Sequence, residues 1–366
     1  MPRNGSETRV LSRLAAPVKI NDLELFLVEI KRTELDAPVR SVLVRLTTDS
    51  GALGWGESAL RRQAAELLGR REALRAAVVG RSIFDVEELH SLEVLKDARL
   101  RSAVEMASWD LIGRAAGEPL CHLLGGGYRE RIPLAVRLPN RRPDRVAQVA
   151  REFAEQGFHS QIITAGKRVQ QDLQTLAAVR QSVGDRAELR FDAAAIYDRE
   201  TALDLCAELE QTGLQFLVDP LDADDLQPIA ALQRQTSVPL AVSRAIRGPV
   251  DVLATIRCGA AGFVVVDLGR VGGIVPARNC AVVADAGGVA ALLTAGPSLG
   301  IATAAMLQLA AATPHFSGCN ESSYHQLYDD VLAEPLEIVD GMMAVPQTPG
   351  LGIEVDRRKV ERYQVT

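Results

Sequence analysis

Histidine and lysine are scarce in this chain of 366 residues. It contains five histidines, and its lysines occupy only positions 19, 31, 96, 167 and 359. Both side chains commonly serve as general bases in enzymes. A proton-transfer site in this protein would therefore have few candidates of either kind.

The sequence also lacks long apolar runs and basic clusters. No apolar stretch approaches the roughly 20 residues that cross a bilayer, and residues 1–17 lack the apolar segment of a secretory signal. We therefore expect a soluble, cytoplasmic protein without membrane contact. Its net charge of −6, with no basic cluster, provides no electrostatic surface for nucleic acid.

The cysteines are few, odd in number and widely spaced. They are Cys121, Cys206, Cys258, Cys280 and Cys319. Most lie within apolar helical patterns, so we expect buried free thiols and not disulfides or metal ligands.

The N-terminal third predicts a mixed α+β unit. Residues 18–30 and 39–58 alternate apolar and polar side chains around a turn at residues 49–51, as in an antiparallel meander. A helical block follows to about Gly125. One of its helices is predicted to bury a face of residues spaced at i, i+3, i+4, i+7 and i+11, namely Leu100, Ala103, Val104, Ala107 and Leu111.

From Ile132 onward, short apolar strands alternate with amphipathic helices. The predicted strands are residues 160–165, 187–193, 214–220, 238–242, 262–268 and 289–294. The helices between them are centred on Leu176, Leu205, Ala230, Leu253 and Val282. This alternation indicates a parallel sheet covered by helices, and the number of units favours closure into a barrel.

Polar residues at the strand ends are the candidate site, because chemistry in such barrels lies at the C-terminal ends of the strands. The predicted cavity residues are Thr164, Asp192, Arg244, Asp267 and Glu321. Period-two alternation from Val218 predicts that Asp219 points away from the cavity. Asp192, Asp267 and Arg244 either hold an anionic small molecule or form an ion-pair network that fills the barrel mouth. A divalent metal would need about three convergent oxygen ligands and would be repelled by an arginine, so metal binding is disfavoured.

Four segments resemble those of a known family. They are TDSGALGWGES, AVEMASWDLIGRAAGEPLCHLLGG, VDLGRVGGI and DGMMAVPQTPGLGIEVD. In this order they resemble the enolase superfamily, specifically its mandelate racemase and muconate lactonizing enzyme group. The resemblance extends from about Val18 to the C-terminus.

The resemblance implies an α/β fold, a modified TIM barrel of the (β/α)7β type with an α+β N-terminal capping domain that the C-terminal tail completes. The boundaries it implies are an N-terminal extension at residues 1–17, a capping domain at 18–131, a barrel at 132–332 and a segment at 333–366 that returns to the capping domain. Capping loops select the substrate in this family, here residues 31–38 and 54–57. A homo-oligomer is also expected.

The family removes a proton next to a carboxylate, using a lysine or histidine base and Mg²⁺ to stabilise the resulting negative charge. Asp192 matches the first of its three metal-binding acids. The second position is occupied by Val218, and the third falls at Ser243 or Arg244. Asp192 is thus the only retained metal position, so we expect no cofactor although the family implies Mg²⁺.

The family's bases are also replaced. Its lysine pair maps onto Ile162 and Thr164. Asp267 matches an aspartate that partners a histidine in the racemase subgroup, but that histidine's position is near Ala295. His315 is the histidine expected to reach the mouth, so Asp267 and His315 are the catalytic candidates.

The remaining bases are expected at the surface. Lys167 is predicted in a solvated loop, and His159 and His325 are predicted to be surface residues.

Our hypothesis from the sequence is that Arg244 replaces the missing cation by bridging Asp192 and Asp267. One guanidinium stabilises a dianionic intermediate less than a divalent ion does, which argues against the usual Mg²⁺-dependent activity. One candidate function is an isomerase (racemase or cycloisomerase) or lyase that acts on a small carboxylate or sugar acid without metal. The alternative is a non-catalytic barrel that binds a small carboxylate or partners an active homologue. A third possibility, Mg²⁺ held by Asp192, Asp219 and Asp267, is disfavoured by strand alternation.

Overall fold

The computed structural model describes residues 18–33, 37–59, 64–166, 168–222 and 224–365. The predicted N-terminal extension, part of the predicted capping loop at 31–38, and Lys167 lie outside these ranges. Among the described helices, none has both the length and the apolar character that a bilayer span requires.

The N-terminal residues form an antiparallel sheet with the strand order β1-β2-β3. Its strands are β1 (Ile20–Ile30), β2 (Val39–Thr48) and β3 (Leu53–Ala59). The predicted turn joins β2 to β3, and Gly51 adopts a φ of 82° there. The meander prediction is therefore confirmed. The helices that follow the sheet are α1 (Ala64–Gly69), α2 (Arg71–Val78), α3 (Val86–Ser91), α4 (Ala98–Ala116) and α5 (Leu120–Leu123).

Helix α4 packs closely on this sheet. Asp97 caps its start by accepting hydrogen bonds from the amides of Arg99 and Leu100, which satisfies two of the free N–H groups of the first turn. The five apolar residues predicted to share a face are all buried. Gly56 of β3 permits the close approach, because a Cβ atom there would lie 1.9 Å from the carbonyl oxygen of Ala103.

Eight parallel strands form a closed barrel, because the last strand pairs with the first. The strands are β4 (Arg131–Arg137), β5 (Ser160–Thr164), β6 (Glu188–Asp192), β7 (Phe216–Val218), β8 (Leu240–Val242), β9 (Phe263–Asp267), β10 (Ala290–Thr294) and β11 (Asn320–Glu321). The helices between them are α6 (Pro143–Glu155), α7 (Val169–Val183), α8 (Arg199–Leu209), α9 (Leu226–Gln233), α10 (Pro249–Cys258), α11 (Leu268–Val271), α12 (Ile274–Ala286) and α13 (Gly300–Ala312). The (β/α)7β barrel is thus confirmed.

The strand register brings the polar strand ends to one level. Thr164 lies beside Asp192, and Asp192 lies beside Val218. On the other side Thr294 lies between Asp267 and Glu321. The cavity predicted from the strand ends therefore has a common rim.

The C-terminal residues contact both domains. Strands β12 (Ile338–Val339) and β13 (Met342–Ala344) form a hairpin, and β13 pairs antiparallel with β4. Helix α14 (Arg357–Tyr363) then packs against β1. The amide of Val365 donates a hydrogen bond to the carbonyl of Leu27, with an N–O distance of 2.8 Å. This segment therefore covers the free edge of the capping sheet.

Two buried glutamates of the capping domain bind the N-termini of barrel helices. Glu105 accepts hydrogen bonds from the amides of Ile274 and Val275, at 2.5 and 2.9 Å, where α12 begins. Glu57 accepts hydrogen bonds from the amides of Leu299 and Ala302 where α13 begins, at 2.6 and 2.9 Å. Backbone N–H groups at a helix N-terminus favour a carboxylate. These contacts fix the capping domain over the barrel.

The five cysteines are free thiols. Cys121, Cys206 and Cys280 are buried, and the other two are half-buried. The expectation of free thiols is confirmed.

Candidate functional site

A cavity of about 300 Å³ opens at the C-terminal ends of the barrel strands. Its charged lining consists of four arginines and four acids, namely Arg137, Arg190, Arg244, Arg270, Asp192, Asp219, Asp267 and Glu321. Its apolar lining includes Phe216, Val218, Val265 and Leu292, which pack together inside the barrel. The cavity therefore has charged walls around an apolar interior.

Arg137, the last residue of β4, joins two acids from different strands. Its Nη1 donates to Asp192 Oδ2 at 2.8 Å, and its Nη2 donates to Glu321 Oε1 at 2.7 Å. It also donates a hydrogen bond to the Thr164 hydroxyl. Barrel closure explains this geometry, because β4 pairs with β11, which carries Glu321, and with β5, beyond which lies Asp192.

The electrostatics of Arg137 follow from these contacts. Burial acts to lower its pKa, but the carboxylates of Glu321 and Asp192 outweigh burial, so its pKa lies above the ordinary value. The side chain is 29 % exposed. Arg137 is therefore a permanently charged bridge across one side of the cavity.

Asp219 and Arg244 occupy the opposite side. Asp219 Oδ1 accepts a hydrogen bond from the Ser243 amide at 2.8 Å, and Oδ2 accepts one from the Arg244 amide at 3.1 Å. The Arg244 Nε lies 3.6 Å from Asp219 Oδ2, and its side chain is 46 % exposed. Burial, together with the nearby Asp192, raises the pKa of Asp219 to about 6. The guanidinium of Arg244 is thus the most accessible cation of the cavity.

Asp267 is held between two arginines. Arg99, which belongs to α4 of the capping domain, donates from Nη2 to Asp267 Oδ2 at 3.1 Å. Arg270 Nη2 lies 3.6 Å from the same oxygen, and the Arg270 amide donates to Oδ1 at 3.2 Å. The capping domain therefore contributes a charge to the rim of the barrel.

Arg190 belongs to a deeper layer of the barrel. Its Nε donates to Gln215 Oε1 at 2.6 Å, and its Nη1 donates to the Cys319 carbonyl at 3.0 Å. Both partners precede strands, so this guanidinium points toward the N-terminal end of the barrel. Gln215 in turn donates to Glu188, at 2.5 Å, which connects Arg190 to an acid of that end.

The structure brings the five predicted cavity residues together. Thr164, Asp192, Arg244, Asp267 and Glu321 all line the cavity.

The histidines lie elsewhere. His315 Nδ1 lies 3.3 Å from Asp285 Oδ2, and His315 does not line the cavity. His325, predicted at the surface, is instead packed against the rings of Phe153 and Phe158. Burial lowers its pKa to about 4. Neither histidine reaches the barrel mouth in this structure.

The predicted bridge through Arg244 is wrong. Within the described residues, the acid within 4.0 Å of its guanidinium is Asp219, not Asp192 or Asp267. The prediction for Asp219 is also wrong, because both Val218 and Asp219 line the cavity. Asp219 has a φ of 44°, so the regular alternation ends at Val218 and the next side chain turns inward.

The predicted cavity residues did not include Arg137, Arg190, Arg270 or Arg99. A signal existed for Arg137, since IPLAVRL at 132–138 repeats the pattern of VPLAVSR at 238–244. Arg270 follows a predicted strand end within the GRVGG segment. Arg99 carries no local signal, because it reaches Asp267 only when the capping domain covers the barrel.

The oxygen atoms near the retained metal position are already hydrogen-bonded. Asp192 Oδ1 accepts from the Ala194 amide at 2.9 Å and Oδ2 accepts from Arg137. Glu321 Oε1 accepts from both Arg137 Nε and Nη2. Among the residues that the structure describes, no three His, Cys, Asp or Glu side chains converge as a metal-binding set.

Two family models match this chain. The model described as enolase C-terminal domain-like matches residues 144–359. The model described as the mandelate racemase / muconate lactonizing enzyme N-terminal domain matches residues 32–125. Together they cover most of the capping domain and most of the barrel, with β1 and β4 outside the matched ranges.

Individual relatives match over most of their length. A D-galactarolactone cycloisomerase of Agrobacterium fabrum is 29% identical over 349 residues, covering 88% of this chain and 91% of the relative. A chloromuconate cycloisomerase of Cupriavidus pinatubonensis is 28% identical over 340 residues, with the same coverage of 88% and 91%. The crystal structure of an isomerase from Streptomyces coelicolor A3(2) superimposes with a TM-score of 0.85 at 28% identity, over 94% of this chain and 99% of that chain. This chain therefore belongs to the mandelate racemase and muconate lactonizing enzyme group of the enolase superfamily.

Proposed function

We propose that this protein binds a small carboxylate in the barrel mouth without Mg²⁺, and that it does not carry out the metal-dependent proton abstraction of its family. The observation that carries the proposal is the bridge from Arg137 to Asp192 and Glu321. A guanidinium occupies the side of the cavity that holds the one retained metal-ligand position. In this proposal, arginine side chains bind the carboxylate of the ligand in place of a metal ion.

The donor set does not fit Mg²⁺. This ion needs oxygen ligands in near-octahedral geometry, whereas the side chain of Val218 offers none and Ser243 lacks a carboxylate. Asp219 lines the cavity, but among the described residues no three acids converge around a possible ion. Asp192 already accepts hydrogen bonds on both oxygens. A divalent ion next to Arg137 would also be repelled by the permanent charge of that guanidinium.

Arg244 is the proposed receptor for the carboxylate. Its side chain is 46 % exposed, and its contact with Asp219, at 3.6 Å, is longer than a hydrogen bond. A guanidinium with free N–H groups binds a carboxylate through two parallel hydrogen bonds.

Binding is better supported than proton abstraction by Asp267. Both oxygens of Asp267 are occupied, Oδ2 by Arg99 and Oδ1 by the Arg270 amide. None of the described lining residues is a lysine or a histidine. We therefore expect no exchange of the ligand's α-proton with deuterated solvent.

Calorimetric titration with a panel of small carboxylates tests the proposal. We expect saturable binding with the same affinity in Mg²⁺ and in a chelator, and about a tenfold or greater loss in Arg244→Gln. Arg247→Gln is the matched control, since Arg247 pairs with Asp224 outside the cavity and is 66 % exposed. Its affinity should equal that of the wild type.

Two results would overturn the proposal. One is binding, or deuterium exchange at the ligand's α-carbon, that requires Mg²⁺. The other is an equal loss of affinity in Arg244→Gln and Arg247→Gln, which would place the ligand outside the barrel mouth.

A further inference from the structure

We infer that the floor of the barrel cavity binds a small monovalent anion of the halide class at the guanidinium of Arg190. This inference goes beyond the proposed function, because it concerns a second site, beneath the one proposed for the carboxylate ligand. It comes from two side chains inside the barrel, Arg190 and Ser160, which carry buried polar atoms without hydrogen-bond partners among the described residues.

Arg190 points into the barrel and is almost completely buried. It belongs to β6, on the same face of the strand as Asp192, and both side chains line the cavity. Arg190 is only 2 % exposed. Bulk water therefore screens its charge very little.

The hydrogen-bond partners of the Arg190 guanidinium are neutral. Its Nε donates to the side-chain carbonyl of Gln215, and its Nη1 donates to the backbone carbonyl of Cys319. No acceptor within the described part of the chain reaches Nη2. The ring of Phe216 lies beside the guanidinium, with its centroid 5.0 Å from Cζ. Nη2 is therefore a buried, charged donor that can still bind an acceptor.

The surrounding acids do not compensate for the burial of this cation. Burial lowers the pKa of Arg190, and the opposing effects of Cys319, Glu321 and Glu188 are smaller. Glu321 already pairs with Arg137, and Glu188 is connected to Arg190 through the amide of an intervening side chain. A buried guanidinium without a direct counter-charge is costly. An anion at Nη2 would therefore stabilise the folded protein.

Ser160 provides a second donor in the barrel interior. Its neighbour Gln161 points outward, because Gln161 Nε2 donates to the Ala150 carbonyl of α6 at 2.8 Å. Ser160 therefore points inward, where it is fully buried and its hydroxyl has no partner among the described residues. The guanidinium of Arg190 extends from β6 to a carbonyl next to β11, and β5, which carries Ser160, lies between these two strands. The hydroxyl thus lies on the side of the barrel that the guanidinium crosses.

The space beside Nη2 limits the size of the anion. A Cβ atom at Gly318 would lie 3.9 Å from Arg190 Nη2 and 3.0 Å from Leu292 Cδ2. Leu292 and Phe216 belong to the apolar cluster inside the barrel. A halide needs only a few N–H or O–H donors, whereas the oxygen atoms of a larger oxyanion would remain unpaired against this apolar surface.

Thermal unfolding at constant ionic strength tests the inference. Sodium chloride or sodium bromide replaces sodium isethionate, whose anion is too large for the site. We expect about 200 mM of either halide to raise the melting temperature of the wild type by about 2–4 °C. A buried water molecule would satisfy the same donors without making stability depend on halide.

Three variants identify the residues responsible. Arg190→Met should lose the halide effect, whatever its own melting temperature. Ser160→Ala keeps the guanidinium and should need about threefold more halide for half of the effect, because one donor is lost. Arg186→Met is the matched control and should keep the full effect, since Arg186 is exposed shortly before β6 and donates to backbone carbonyls of the preceding turn.

Anomalous diffraction from crystals soaked in bromide locates the anion directly. We expect a peak beside Arg190 Nη2, inside the barrel. Bromide found only at other positions, a wild-type melting temperature that does not respond to halide, or an equal halide effect in Arg190→Met would each overturn the inference. None of these results bears on carboxylate binding at Arg244, which is measured separately by calorimetry at constant chloride concentration.

Discussion

Arg137 is the residue on which the arrangement of the barrel mouth depends. Its side chain separates two carboxylates that would otherwise repel each other across the cavity. We expect Arg137→Met to lower the free energy of unfolding by about 2–3 kcal/mol, because both acids lose their counter-charge. Urea unfolding monitored by circular dichroism measures this change.

The other end of the same strand provides the control for this experiment. Arg131 begins β4, is exposed, and donates one hydrogen bond to the Val339 carbonyl. Arg131→Met should cost only about 0.5 kcal/mol. If the guanidinium of Arg137 stands in for a metal ion, added Mg²⁺ should also stabilise Arg137→Met more than it stabilises the wild type. Equal losses of unfolding free energy in Arg137→Met and Arg131→Met would show that the bridge from Arg137 to the two acids adds no stability of its own.

Glu57 predicts a pH dependence of stability. Burial raises its pKa from 4.5 to about 7, against the opposing effect of the amides of Ala302 and Leu299 and the hydroxyl of Ser41. Asp330 is the nearby charge that adds to the rise. Because the folded protein binds this proton more tightly than the unfolded chain, the stabilisation is full below about pH 4.5 and is lost as the pH rises to about 7.

Thermal unfolding of the wild type and Glu57→Gln over this pH range tests that prediction. The stability of the wild type relative to the variant should fall by about 3 kcal/mol from the acidic to the neutral end. Glu334→Gln, at an exposed position, should follow the wild type at every pH. A constant difference between wild type and Glu57→Gln would mean that Glu57 does not titrate in this range.

At the residue scale, the sequence predicted which side chains line the cavity better than it predicted how they pair. Thr164, Asp192 and Asp267 end strands whose apolar pattern is clear, so their placement follows from the barrel itself. Glu321 ends the two-residue strand β11, which has no such pattern. The ion pairs between these side chains join residues from strands that are distant in sequence. Arg137 meets Glu321 only because the barrel closes.

At the scale of elements, the junction between α4 and α12 depends on a glycine. Gly273 precedes α12 with a φ of 133°, and a Cβ atom there would lie 1.9 Å from Glu105 Oε2. Glu105 is fully buried and binds the first amides of α12. We expect Gly273→Ala to lower the free energy of unfolding by about 3 kcal/mol, measured by urea unfolding.

A substitution at Gly288 distinguishes the two contributions to this loss, which are the steric contact with Glu105 and the backbone cost of a positive φ. It also has a positive φ, 69°, but a Cβ atom there would have no neighbour within 4 Å. Gly288→Ala should therefore show only the backbone cost of about 1 kcal/mol. If both variants lose the same amount, the contact with Glu105 does not determine the need for glycine.

The elements themselves were predictable because their periodicity is strong. The segment at 143–157 shows this, since Pro143 begins α6 and Gly157 follows its end with a φ of 85°. The side-chain direction of Asp219 was not predictable from alternation. It depends on the local backbone, which accepts a φ of 44° while the carboxylate binds two amides of the next loop.

At the scale of the whole molecule, the C-terminal segment protects the edge of the capping sheet. Val28 pairs with Gln364, and α14 packs over β1. Removal of residues 357–366 would leave the β1 edge with free backbone groups, which favour pairing with another chain. We expect the truncated protein to self-associate as its concentration rises, as measured by size-exclusion chromatography with light scattering.

A substitution on the same helix controls for the truncation. Arg358 is exposed on α14, so Arg358→Ala should behave as the wild type does in the same measurement. A truncated protein that keeps the wild-type elution and mass at all concentrations would show that the exposed β1 edge does not pair with another chain.

The hydrogen bond between Val365 and Leu27 also has a consequence for biosynthesis. Leu27 leaves the ribosome early, whereas Val365 is added after nearly all of the described chain. At about 5–20 residues per second, tens of seconds pass between the synthesis of Leu27 and the synthesis of Val365. During translation the barrel strands are therefore synthesised before the edge of the capping sheet has its last hydrogen-bonding partner.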